Sequence, residues 1–85
     1  MTHEGMEQEI RTMHLIHEYL DAKSSLQRIL SSYNVLNVGE LKKKIESKSL
    51  PEHPSYEDYL EALSFEKDMV QLKTEINKNV EEVLK

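Results

Sequence analysis

The sequence predicts an all-α fold, an antiparallel hairpin of two long helices with a short helix in the connection. Three observations carry this. Only two Gly and two Pro occur in 85 residues, and three of those four lie between residues 39 and 54, so the flanking segments are nearly free of helix breakers. Leu15, Tyr19, Ala22, Leu26, Ile29 and Tyr33 recur at alternating steps of four and three, the spacing of a coiled-coil seam. Pro54 and Ser55 precede Glu57, Asp58 and Glu61, the pattern of a helix start.

The first long helix is predicted over about residues 6–33. Advancing ~100° per residue, the Leu15-to-Tyr33 stripe falls in a narrow arc. Met6, Ile10, Met13 and Leu20 lie on a nearly opposite face. The drift of a heptad on a straight helix is only about 20° per repeat, too little to merge the two stripes.

The connection follows over residues 34–54. Asn37 and Glu40 stand three apart, as a cap and its reciprocal partner would. Val38, Leu41 and Ile45 share one face, so a short helix is predicted over about residues 38–47. Leu50 to Pro54 reads as an extended connector, because a residue preceding proline is pushed out of helical geometry.

The second long helix is predicted over about residues 55–84, with Ser55 as N-cap and Asp58 completing a near capping box. Tyr56, Tyr59, Leu60, Leu63 and Val70 occupy one face, and Phe65, Met69, Leu72, Ile76, Val80 and Val83 another. Folded as a hairpin, Leu26, Ile29, Leu30 and Tyr33 are expected to meet Tyr56, Tyr59, Leu60 and Leu63 near the tip. Toward the open end, part of the Phe65-to-Val83 face can zip the hairpin further, and Met6, Ile10, Met13, Leu20, Phe65, Met69, Leu72, Ile76 and Val80 are the candidate interface anchors. A second apolar face on a helix implies a second neighbour, and two copies paired into a four-helix bundle would cover it. The competing arrangement is a monomer that uses both faces internally, with the short helix along the hairpin.

Composition narrows the function classes. A chain of this length forms one small domain that often needs disulfides, metal or association to be stable. It has no Cys, which excludes disulfides and thiol chemistry. The net charge of −5 works against binding a phosphate backbone, and Lys42, Lys43 and Lys44 have no interleaved aromatics, so no nucleic acid is expected. This short basic run reads as the solvated side of the connecting helix, with Glu40 and Lys44 paired one turn apart. No apolar run reaches the ~20 residues of a membrane span, and the start lacks a signal-peptide profile, so the expected location is the cytoplasm.

No catalytic constellation is visible: there is neither a Gly-x-Ser-x-Gly elbow nor a Gly-rich phosphate loop. His14, His17 and Glu18 are the only local group with metal-ligand character. Their order, His-x-x-His-Glu, matches neither the zinc-protease helix nor the Glu-x-x-His signature of di-iron bundles. The expectation is a small cytosolic protein-interaction or assembly module without catalytic activity or cofactor, a homodimer or the partner of another protein. The alternative is a metal- or ligand-binding bundle using His14, His17 and Glu18.

Overall fold

The computed structural model describes the backbone of residues 3–84 and the side chains of residues 6–82; Val83 of the second apolar face lies outside the described side chains. Three helices follow in chain order: α1 (His3–Ser32), α2 (Val38–Glu46) and α3 (Glu52–Leu84). There is no strand among the described residues. α1 and α3 form the antiparallel hairpin, and α2 packs on α3 at its tip. The molecule measures 59 × 16 × 16 Å, a rod two helices thick. Its radius of gyration is 17.1 Å, against about 12 Å for a compact chain of this length.

The α1 seam is built from Leu15, Tyr19, Ala22, Leu26 and Ile29, all buried or half-buried. The facing seam of α3 differs from the one the sequence suggests. It runs through Tyr59, Ala62, Phe65, Met69, Leu72 and Ile76, while Tyr56, Leu60 and Leu63 are turned to solvent. Ala62 decides this. It is fully buried in the cluster of Leu26, Leu30, Val35, Val38 and Leu41. Three helices converge there, and a small side chain lets their backbones approach. Once Ala62 points inward, steps of three and four carry Phe65, Met69, Leu72 and Ile76 inward as well.

The tip is closed by local backbone chemistry. At the end of α1, Asn34 is left-handed (φ 56°), and Val35 N–H reaches back to the Leu30 carbonyl at 3.1 Å while Asn34 N–H bonds Ser31 at 3.1 Å. This is a Schellman cap, and its apolar contact is Leu30 with Val35, both in the core. α2 ends the same way around Lys48 (φ 61°), with Ser49 N–H on the Lys44 carbonyl at 3.0 Å. At its start, Asn37 accepts from Glu40 N–H at 2.9 Å, and Glu40 accepts from Leu36 N–H at 2.6 Å. The box therefore forms, with its return bond one residue earlier than the usual N-cap amide.

The start of α3 meets expectation at His53, which is extended before Pro54, and departs from it in its first residue and its cap. Helical hydrogen bonding begins at Glu52, with His53 extended (φ −105°, ψ 130°) before a cis His53–Pro54 bond. Ser55 is buried and does not act as N-cap. Its hydroxyl donates to the carbonyls of Pro51 and Glu52, which satisfies the only buried polar side chain of the tip.

Candidate interaction surfaces

Among the described residues, the buried side chains fall between Ala22 and Ala62, toward the tip. Tyr33 ties this end together. Its hydroxyl donates to Asp58 on α3 at 2.5 Å, and its carbonyl accepts from Lys44 Nζ on α2 at 3.1 Å. The bond to the Asp58 carboxylate, aided by burial and by the negative charges of Asp58 and Glu57, raises the Tyr33 pKa to about 12. Lys44 is thus bound to the α1 terminus and Glu40 to the α2 start, not to each other as their spacing suggests. Tyr56 and Tyr59 stack at a tilt, with ring centroids 6.4 Å apart.

Two grooves flank the α1–α3 seam on opposite sides. One has a volume of about 550 Å³ and is lined by the carboxylates of Glu18, Asp21, Asp68 and Glu75, with Ser25 and Gln71 between them. The other, about 710 Å³, is floored by Tyr19, Leu26, Leu63, Met69 and Val70 and edged by Glu66, Lys67 and Lys73. Both are open clefts between two helices. The hairpin therefore has an acidic side and an apolar side.

The outer face of α1 carries the clearest uncovered surface. Met6, Ile10, Met13, Ile16 and Leu20 are between 40 and 59 % exposed. Ile16 escapes a reading that follows only the second stripe, although it stands three residues from Met13 and four from Leu20. Of the remaining anchors suggested by the sequence, Val80 is exposed, whereas Phe65, Met69, Leu72 and Ile76 are half-buried in the hairpin seam and so are largely occupied within the chain. On α3 the uncovered large apolar side chains are Tyr56, Leu60, Leu63 and Val70, with Val80 further along the helix. Tyr56, Leu60 and Leu63 of α3 sit near the tip, whereas the α1 row runs toward the open end, with Val70 at the level of Tyr19 between them. The N-terminal half of α1 lies beside the C-terminal half of α3, where Gln8 Nε2 donates to Glu82 at 3.4 Å, while the N-terminal half of α3 lies at the tip.

His14, His17 and Glu18 are all exposed on α1. Among the described residues no group of three or more His, Asp or Glu side chains is placed to hold a metal ion. No helix among them is long and apolar enough to cross a membrane.

The architecture defines an all-α helical hairpin with uncovered apolar surface. The chain belongs to the Uncharacterized protein MJ0235 family, whose model matches residues 3–83. No curated protein and no solved structure matches it.

Proposed function

We propose that this protein is a small helical interaction module, acting as an assembly subunit or adaptor through the outer faces of its hairpin, with self-association as its primary mode. The observation that carries this reading is the uncovered row Met6, Ile10, Met13, Ile16 and Leu20. Five large apolar side chains in one row make a patch on the order of 500 Å², at the upper end of what a soluble monomer shows. The thinness of the rod supports the same reading. A two-helix layer buries side chains on one stripe of each helix only, and the total accessible surface of 6590 Å² exceeds the roughly 5,200 Å² of a compact monomer of this mass.

Sedimentation equilibrium at micromolar concentration tests the proposal. The wild type is expected at twice the 10.0 kDa chain mass, and Leu20→Glu at the single-chain mass with unchanged helicity by circular dichroism. Leu20 is exposed on α1 and away from the tip core, so the substitution leaves the hairpin's own packing in place. A wild type that sediments as a single chain, or a Leu20→Glu variant with the wild-type mass, would sink the reading.

A further inference from the structure

We infer that the outer face of α1 binds the same face of a second copy, with the two α1 helices antiparallel and crossing at Met13. The inference rests on the self-association reading above and specifies its geometry.

The apolar row has a symmetry that a contact between identical copies requires. In a two-fold interface, if residue i meets residue j, then j meets i. Met6, Ile10, Met13, Ile16 and Leu20 are spaced four, three, three, four, a pattern that reads the same in both directions about Met13. Antiparallel helices crossing there bring Met13 to its own counterpart, Ile10 to Ile16 and Met6 to Leu20. Each level of the contact is apolar on both sides.

Charge selects the antiparallel direction. Glu9 and His17 lie within the same outer arc and are exposed. Antiparallel pairing about Met13 brings Glu9 of one copy to the level of His17 of the other, a favourable or neutral contact. Parallel pairing would bring Glu9 to Glu9 in a partly desolvated contact, where like charges repel. The uncovered face of α3 lacks this property. Its row of Tyr56, Leu60, Leu63 and Val70 is interrupted by exposed Lys67, and its spacing has no mirror point.

The size of the contact is adequate. The row spans about 21 Å of helix at 1.5 Å per residue. Two such patches face to face remove on the order of 1,000 Å² from water, the lower limit for a specific protein contact.

Because the chain has no cysteine, single substitutions report the geometry directly. Met13→Cys is expected to oxidise to a covalent dimer. Ile10→Cys and Ile16→Cys are expected to cross-link to each other when mixed and neither to cross-link alone, since like positions three residues from the crossing point stand about 9 Å apart along the axis. Val70→Cys serves as the control on the other face. In a charge exchange, His17→Glu is expected to lower the dimer population at least tenfold, and adding Glu9→Lys to restore it. If the wild type is a dimer yet Met13→Cys remains uncoupled, or Val70→Cys couples as readily, this geometry is overturned while self-association stands. Cross-linking of Ile10→Cys to itself would overturn the antiparallel direction. A wild type that is a single chain overturns both.

Discussion

The two ends of this rod are built differently. At the tip, three helices converge on Leu26, Leu30, Val35, Val38, Leu41 and Ala62, and two left-handed caps, an Asn37–Glu40 box and the Tyr33–Asp58 bond fix the backbone. At the open end, residues 6–21 and 63–82 contain no buried side chain, and large apolar side chains of both helices stay exposed. Burial free energy scales with the apolar area removed from water, so the hairpin's intrinsic stability is concentrated at the tip. The open end has apolar surface left over, and a partner that covers it would contribute stability where the chain alone contributes least.

The largest expected effect is at the tip core. Leu41 is fully buried, and Leu41→Ala should cost about 3–5 kcal/mol through lost transfer energy and the cavity left behind. Leu72→Ala removes a half-buried side chain from the open seam and should cost about 1–2 kcal/mol, because part of the site is already hydrated. Urea unfolding at a concentration where the chain is monomeric measures both. Equal costs would mean that the two ends share the stability and would undo the contrast.

The same contrast explains what the sequence revealed. The α1 seam was legible because Leu15, Tyr19, Ala22, Leu26 and Ile29 are bulky at nearly every step and sit on a regular helix, where periodicity maps directly onto burial. The Asn37–Glu40 start of α2 was legible because capping is local chemistry. The inward face of α3 was not. Position along the hairpin favours Tyr56, Leu60 and Leu63 as partners of the α1 end, whereas the packing favours Ala62, a small residue that hydropathy does not single out. The extended His53 was legible because it precedes Pro54, but the role of Ser55 was not: its hydroxyl donates back to the Pro51 and Glu52 carbonyls and does not cap the amides ahead of it. On the outer surface, Met6, Ile10, Met13 and Leu20 could be read from one helix alone, whereas the position of Phe65, Leu72 and Ile76 depended on how two helices meet.

An intermediate effect is expected at the Tyr33–Asp58 bond, which joins the ends of α1 and α3 through a half-buried, charge-assisted contact. Tyr33→Phe should cost about 1–2 kcal/mol, near the lower part of the range for hydrogen bonds to charged groups. The raised Tyr33 pKa adds a pH signature. Below about pH 10, the ordinary tyrosine value, the hydroxyl is protonated in both folded and unfolded chains and the contribution is fully present. Between there and about pH 12, the unfolded chain ionises first, so the folded state loses this advantage as pH rises. The stability difference between wild type and Tyr33→Phe should therefore be constant from pH 7 to 10 and shrink above it. A difference that persists unchanged to pH 12 would detach the bond from the tip's stability.

The smallest effect should run in the opposite direction. Lys48 occupies a left-handed position that its side chain disfavours by roughly 1 kcal/mol, and glycine meets the same backbone without that cost. Part of the gain is offset by the greater freedom of glycine in the unfolded chain, so Lys48→Gly should stabilise by about 0.5 kcal/mol. Asn34 holds the corresponding position after α1, but asparagine tolerates that region, so Asn34→Gly should change little. Where the gain appears is more informative than its size. If the tip governs global unfolding, Lys48→Gly should slow amide hydrogen exchange at Leu26, Leu30 and Leu41, while amides of residues 6–20 keep their wild-type rates because they open locally, before the tip does. Equal slowing at both ends would show that the rod opens as one unit, and the open end would then need no partner to hold it together.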